Sequence, residues 1–256
     1  MIKKAHSLVQ KIGPGMPGRG ENIRLAFEAT GTPYTDVSNE NKEGINDVLA
    51  QISADNVGDA NNPPPLAPPI LKHGEKILIS QSPNILFYLG PKLNLVPNTD
   101  EDPVGIYHVN ALALTALDGL SNEAHDTHHP IATGDYYEDQ KSEALKKAKD
   151  YRANRLPKFL GYFNRVLKGE ASKGGEYLYG GQLTYADLVF FQCLNGVTHA
   201  FPKAVARMRE SGDYDLAFAL YDRVKGLDKI KAYLESDRRQ KYSLGIWRHY
   251  PELDDE

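Results

Sequence analysis

The pattern of apolar residues changes near position 100 of this 256-residue chain. Up to that point short strand-like and helix-like segments alternate, whereas the remainder carries long helical patterns and almost no strands. Such a change is typical of two domains with different architectures. We therefore predict an α/β domain over residues 1–90, a proline-punctuated linker over residues 91–103 and an all-α domain over residues 104–256.

Elements of the first domain follow the order β-α-β and then β-β-α. The predicted strands are residues 7–12, 34–37, 70–72 and 76–79. The first two strands are joined through a helix in which Ile23 and Phe27 share a face, so they are expected to be parallel. The last two are expected to form an antiparallel hairpin. The helices predicted for the second domain are residues 104–128, 141–168, 184–197, 215–224 and 227–236.

A helix start follows the last predicted strand, at Gln81-Ser82-Pro83. Ser is a favoured N-cap residue and Pro is favoured at the first helical position. The first N–H groups of a helix carry the positive end of its dipole and can bind a carboxylate or phosphate. Gln81 and the Ser82 hydroxyl are candidates for contacting the same anion, and a purely capping role for Ser82 is the alternative.

Charge and cysteine content limit the classes of function. The formal net charge of −4 gives no general basic character, so neither nucleic acid nor an anionic membrane is an expected partner. A single cysteine, Cys193, excludes an intramolecular disulfide and fits a reducing compartment. It lies in an apolar run, where a buried and inert thiol is expected. The N-terminus does not resemble a signal peptide, and a cytoplasmic location is expected.

Three histidines cluster before Pro130, at positions spaced i, i+3 and i+4: His125, His128 and His129. A helix would gather them on one side, and three imidazoles with a carboxylate can bind zinc. Pro130 opposes helix at the preceding residue, however, so the cluster is expected at a helix end, where the dipole favours imidazolium. Metal binding is therefore not predicted.

Four motifs, in order and spacing, resemble those of the glutathione S-transferase family. Gly18 to Ala29 looks like the first helix of its tyrosine-type members, and Pro69-Ile70-Leu71 is similar to the segment with the family's cis-proline. Gln81-Ser82 resembles the glutathione-anchoring motif. Thr184 to Leu188 resembles the capping box that starts the buried central helix of the second domain.

This resemblance implies a thioredoxin-like N-terminal domain and an all-helical C-terminal domain. It implies glutathione as co-substrate, a small electrophile as the second substrate, no metal, and a homodimer. The implied activity is that of a transferase, or of a glutathione-dependent isomerase or ether-cleaving lyase. A non-catalytic member that carries a ligand or takes part in protein assembly is the alternative.

The resemblance also implies how glutathione is held. Pro68 and Pro69 would pair through the backbone with its cysteinyl part, although proline at position 68 removes one donor. Gln81 and Ser82 would bind the γ-glutamyl carboxylate. Asp118 would present an acid to the γ-glutamyl amine across the subunit interface, and an exposed helical acid is the alternative.

For the electrophile, the resemblance implies a cleft bordered by the end of the long helix at residues 104–128. His125 and His128 would form its polar wall, with simple helix termination as the alternative. Tyr107 and His108 could face the same cleft, and interdomain packing is the alternative for both.

The chain departs from the family at the thiol. Between Ser7 and Tyr34 it has no Tyr, Ser, Cys or His, and the position of the usual hydroxyl or thiol falls on Lys11, Ile12 or Gly13. Because a free thiol has a pKa of about 8.5, another group must stabilise the thiolate. The N–H groups of the loop from Gly13 to Gly20 and the Arg19 guanidinium are the candidates. A surface ion pair of Arg19 with Glu21 or Glu28 is the alternative.

Overall fold

The structure of the protein, a computed structural model, describes the backbone of residues 5–8 and, in full, residues 16–40 and 43–255. The part of the first predicted strand at residues 9–12 lies outside the described residues. So do Lys11, Ile12 and Gly13, the candidates for the thiol position, and the first part of the loop from Gly13 to Gly20.

Four strands form one mixed sheet in the order β2-β1-β3-β4. Strands β1 and β2 are parallel and β3 and β4 are antiparallel, as the sequence predicts. Strand β3 also runs antiparallel to β1, a pairing that was not predicted. The first strand begins two residues earlier than predicted, at Ala5. The strands are β1 (Ala5–Leu8), β2 (Tyr34–Asp36), β3 (Ile70–His73) and β4 (Ile77–Ser80).

In the described residues the sheet is accompanied by the helices α1 (Glu21–Thr30), α2 (Val37–Glu40), α3 (Gly44–Gln51) and α4 (Ser82–Leu89). The predicted α1 is confirmed, and it ends at Gly31, whose left-handed φ of 70° suits glycine. Two short helices, α2 and α3, were not predicted, because each is too short for apolar periodicity to stand out.

From Gly105 to Leu234 the described chain consists of helices and the segments that connect them. Both long predicted helices are present, and each contains a π-helical turn, at Leu117–Asn122 and at Tyr151–Arg155. A helix at Pro202–Glu210 falls in a segment for which no element was predicted. The helices are α5 (Gly105–Ala116), α6 (Glu123–Asp126), α7 (Lys141–Asp150), α8 (Leu156–Lys168), α9 (Tyr185–Ala200), α10 (Pro202–Glu210), α11 (Asp215–Gly226) and α12 (Asp228–Leu234).

Helix α9 lies in the middle of the core and starts with the predicted capping box. The backbone N–H and the hydroxyl of Thr184 each lie 2.7 Å from the Asp187 carboxylate, which also accepts a bond from the Leu178 N–H. Burial raises the pKa of Asp187 to about 6, against the effect of these hydrogen bonds. The Cys193 thiol is buried in the same helix, as predicted, and burial raises its pKa.

The segment after α12 folds back over α9. Trp247 is buried against Gly196 of α9, and its indole N–H donates to the Leu120 carbonyl at 2.9 Å. Gly245 of the same segment lies beside Met16, in the loop before α1. The C-terminal segment (residues 235–250) therefore connects the helical part with the loop that precedes the first helix.

A buried ionic network joins α1 to the C-terminal segment. Glu21 pairs with Arg24 at 2.9 Å and with Arg239, and it accepts a bond from the Tyr233 hydroxyl at 2.7 Å. Arg24 in turn pairs with Asp36 at 2.6 Å. Burial acts to raise the pKa of Glu21, but Arg239, Arg24 and Tyr233 outweigh it and lower that pKa.

Candidate functional site

The α4 start differs by one residue from the prediction. Gln81, rather than Ser82, is the N-cap, so Ser82 and Pro83 are the first two helical residues. Gln81 is exposed and has a φ of 72°, a conformation that a residue with a Cβ rarely adopts. Such backbone strain is found mostly at functional sites.

Ser82 does not offer its hydroxyl hydrogen to an external anion. Its side chain is only 2% exposed, and the hydroxyl donates to the Arg19 carbonyl at 3.0 Å. The predicted contact between this hydroxyl and the anion is thus corrected, since a hydroxyl has one hydrogen to give. The groups left to bind an anion are the N–H groups at the α4 start and the exposed Gln81 side chain.

The peptide bond between Pro68 and Pro69 is cis, in agreement with the family's cis-proline. Pro69 is buried and Pro68 is partly exposed. Pro69 directly precedes Ile70, which pairs with Ser80 across the β3–β4 hairpin. Because Ser80 precedes Gln81, the hairpin register brings the two predicted glutathione-binding segments to the same edge of the sheet.

Arg19 lies close to this edge and reaches the helical part of the protein. Its side chain is exposed and donates from Nη2 to Asn122 Oδ1 at 2.7 Å. Asn122 Nδ2 in turn donates to Asp118 Oδ1 at 3.3 Å. Two predicted site residues, Arg19 and Asp118, are therefore connected through Asn122.

The alternative interpretation of Arg19, an ion pair with Glu21 or Glu28, is wrong. Glu21 is buried and pairs with Arg24 and Arg239. Glu28 pairs with Arg238 and accepts a bond from the Tyr34 hydroxyl. Both carboxylates are thus occupied by other partners.

The three histidines lie together at the end of α6, His125 within the helix and His128 and His129 just beyond it. Their ring centroids are 4.7 to 5.2 Å apart. Nε2 of His128 lies 3.0 Å from the Ile246 carbonyl, which can only accept, so this nitrogen carries the hydrogen. Nδ1 of His128 is buried without a hydrogen-bond partner.

The expected preference for imidazolium is corrected by the structure. Burial lowers the pKa of His128 to about 3. The pKa of His125 is lowered by burial and then by His129, and that of His129 by burial and then by Arg248. Desolvation and mutual repulsion outweigh the helix dipole, so all three rings are neutral at pH 7. Within the described residues, no group of His, Cys, Asp and Glu side chains is arranged to hold a metal ion.

Tyr107 and His108 lie apart from these histidines. Tyr107 is 63% exposed and its ring lies 6.0 Å from that of Phe87 on α4, while His108 packs against Tyr179 at 5.4 Å. At 1.5 Å of rise per residue, Tyr107 is roughly 27 Å along the helix axis from His125. The expectation of one shared cleft is therefore corrected, and Tyr107 makes the interdomain contact that was its alternative.

Sequence reasoning missed two residues of this region. Asn122 is spaced i+4 from Asp118 and i−3 from His125, so helical spacing could have placed it on the same face. Arg248, which lowers the pKa of His125 and His129, lies in the C-terminal segment. No local signal could have indicated its position, because that segment has no regular structure before Pro251.

Comparisons with known proteins agree with this fold. Residues 125–237 match the family described as "Glutathione S-transferase, C-terminal domain". The chain is 25% identical over 229 residues to a glutathione S-transferase of Plasmodium falciparum (isolate 3D7), covering 88% of this chain and 94% of that protein. It is 30% identical over 162 residues to glutathione S-transferase alpha-3 of Rattus norvegicus, covering 63% of each chain.

A solved structure shares the fold. The crystal structure of the glutathione S-transferase from Ascaris lumbricoides superimposes with a TM-score of 0.61 at 23% identity, covering 93% of this chain and 98% of that one. The fold is therefore a thioredoxin-like α/β part followed by an all-α part. Together with the sequence matches, it supports a protein of the glutathione S-transferase family.

Proposed function

We propose that this protein binds glutathione and transfers it to small electrophilic substrates. The observation that carries the proposal is the hydrogen bond from Ser82 to the Arg19 carbonyl. It holds the α4 start, with its strained Gln81, against the backbone of Arg19, whose side chain is exposed. An anion anchor and a fixed positive charge at one edge of the sheet suit a peptide that carries both a carboxylate and a thiolate.

In this proposal each part of glutathione has its own contacts. The N–H groups at the α4 start and the Gln81 side chain bind the γ-glutamyl carboxylate. Pro68 and Pro69 line the cysteinyl part through their backbone. Arg19 and the N–H groups of the loop from Gly13 to Gly20, part of which lies outside the described residues, stabilise the thiolate.

The chemistry is nucleophilic attack by the bound thiolate. The thiol proton passes to solvent, a carbon–sulfur bond forms at the electrophilic carbon, and the leaving group departs with its electron pair. Isomerisation and ether cleavage begin with the same thiolate. The neutral ring of His125 forms a polar wall for the electrophile, together with the C-terminal segment. The expectation that His128 belongs to this wall is corrected, because the residue is only 1% exposed.

A homodimer is part of the proposal. One face of the long helix leaves Tyr107, Ala111, Leu114 and Asp118 exposed, at the i, i+4, i+7 and i+11 positions of a single stripe. Leu66, in the loop before β3, is 87% exposed. Apolar surface of this kind supports a two-fold interface that would take Asp118 to the partner's γ-glutamyl amine.

We also propose the domain boundaries, the location and the absence of two classes of partner. The domains would be residues 1–90 and 104–256 with a linker at 91–103, and the protein would be cytoplasmic, without nucleic-acid or membrane partners. No helix in the described part of the chain is both long and apolar enough to cross a membrane.

A glutathione titration that follows thiolate absorbance across pH tests the proposal. We expect binding at millimolar glutathione or below and a bound thiol pKa under that of free glutathione. Gln81→Ala should abolish binding, while Asn84→Ala, an exposed residue on the same helix, should leave it unchanged. Absence of binding would contradict the proposal.

A non-catalytic role is the second candidate. It is favoured by the lack of any Tyr, Ser, Cys or His between Ser7 and Tyr34. Binding with an unshifted thiol pKa, and no turnover of aryl halides, enones or aryl ethers, would support this role over the transferase.

A further inference from the structure

We propose that Asn122 is a positioning residue that holds the Arg19 guanidinium at the thiol of bound glutathione, an inference that rests on the proposed function. Asn122 belongs to the helical part, 103 residues from Arg19 in sequence. Under this proposal the thiolate site is completed across the boundary between the two parts of the protein.

Arg19 is fixed at its backbone and again at the end of its side chain. Its carbonyl accepts bonds from Ser82 Oγ at 3.0 Å and from Asn22 Nδ2 at 3.3 Å. The guanidinium, at the end of a long and exposed side chain, is held by Asn122 Oδ1 at 2.7 Å. Without that bond the side chain would sample many rotamers, and its charge would be spread over a larger volume.

An amide suits this position better than a carboxylate would. Asn122 Oδ1 orients the guanidinium but brings no negative charge that would compete with a thiolate for it. The orientation of the amide is itself determined, because Nδ2 donates to Asp118 Oδ1 at 3.3 Å. The oxygen must then face Arg19.

Among the described residues, no carboxylate forms an ion pair with Arg19. Asp118 lies beyond Asn122, and His125 follows one turn later on the same face. Burial is the main cause that lowers the pKa of His125, and Arg19 adds to it. The positive charge of Arg19 also acts to lower the pKa of Cys193 in α9, although burial outweighs this effect and raises that pKa.

Asn122 is the last residue of the π-helical turn Leu117–Asn122. Such turns are often found at functional sites. The second π-helical turn supplies a matched control, since Asn154 Nδ2 donates to Asp150 Oδ1 at 2.8 Å with the same i−4 spacing. Asn154 is exposed and makes no contact with Arg19 in the described structure.

The test measures the pKa of the bound glutathione thiol from thiolate absorbance. The full-length proteins are wild type, Arg19→Ala, Asn122→Ala, the double variant and Asn154→Ala. Arg19→Ala should raise the bound thiol pKa by about 1 unit, and Asn122→Ala by about half of that. The double variant should equal Arg19→Ala, because Asn122 acts only through Arg19. Asn154→Ala should match the wild type.

Two controls are measured alongside: the affinity for glutathione at a pH below the thiol pKa, and the melting temperature. Asn122→Ala should change both little, so that a raised thiol pKa is not the result of lost folding. If Arg19→Ala raises the thiol pKa and Asn122→Ala does not, the inference is overturned while the proposed function survives. An additive double variant would also overturn it. If wild-type protein binds no glutathione, both fail.

Discussion

Ser82 and Arg19, which lie 63 residues apart, are joined by a 3.0 Å hydrogen bond from the Ser82 hydroxyl to the Arg19 carbonyl. The bond connects the start of α4 with the residue two before α1. The anion anchor and the candidate thiolate stabiliser therefore form one unit, and a change at one should be felt at the other.

Replacement of Ser82 by Ala tests this coupling. The variant keeps the backbone N–H groups of α4 but leaves the Arg19 carbonyl with only the weaker bond from Asn22. We expect glutathione to bind more weakly without losing binding, the bound thiol pKa to rise, and stability to fall by about 1 kcal/mol. Complete loss of binding at unchanged stability would show that the hydroxyl contacts glutathione directly.

Replacing Arg238 or Arg239, two neighbouring residues of the C-terminal segment, should reduce stability by different amounts. Arg239 is 10% exposed and pairs with the fully buried Glu21, whereas Arg238 is 60% exposed and pairs with Glu28. Arg239→Ala leaves one carboxylate oxygen of Glu21 without its cation in the interior, and we expect a loss of about 3–5 kcal/mol. Arg238→Ala should cost less than about 1 kcal/mol. Urea unfolding measures both, and equal losses would contradict this account.

Much of the fold could be predicted from local patterns. The hairpin, the parallel β1–β2 pair and the Thr184–Asp187 capping box each depend on residues close in sequence or on short motifs. Helix α10 was missed because it begins with Pro202 and carries four charged residues in nine. Its apolar face can be recognised only from the contact that it makes with α9.

The candidate site was harder to predict than the fold. Gln81 and Pro69 could be placed from motifs, but the partner of Arg19 could not, because Asn122 approaches it from 103 residues away. The neutral state of the histidines could not be predicted from the local sequence either. The dipole of their own helix and, at His128, the Ile246 carbonyl favour imidazolium, whereas burial outweighs both and favours imidazole.

The burial of His128 predicts a loss of stability in mild acid. Because its folded pKa, about 3, lies below the unfolded value of about 6.5, the unfolded state binds more protons between these limits. Its contribution to stability is complete above pH 6.5 and decreases as the pH falls. From pH 6.5 to pH 5 we expect a loss of about 2 kcal/mol from this residue.

His128→Gln provides the comparison for that loss. It keeps an N–H for the Ile246 carbonyl but has no group that titrates in this range. Urea unfolding at pH 7, 6 and 5 should show a shallower decrease in the free energy of unfolding for the variant than for the wild type. The same slope in both proteins would contradict the assignment of a buried neutral His128.

Gly196 and Trp247 offer a test of how firmly the C-terminal segment is held. A Cβ at position 196 would lie 2.1 Å from the Trp247 ring, so Gly196→Ala must displace the indole. We expect a loss of about 1–3 kcal/mol and a red shift in the emission of this single tryptophan as it gains solvent. Gly226→Ala is the control, because a Cβ there meets nothing within 4 Å, and it should be neutral or stabilise by up to about 1 kcal/mol. Unchanged emission in Gly196→Ala would show that the segment does not pack on α9 as described.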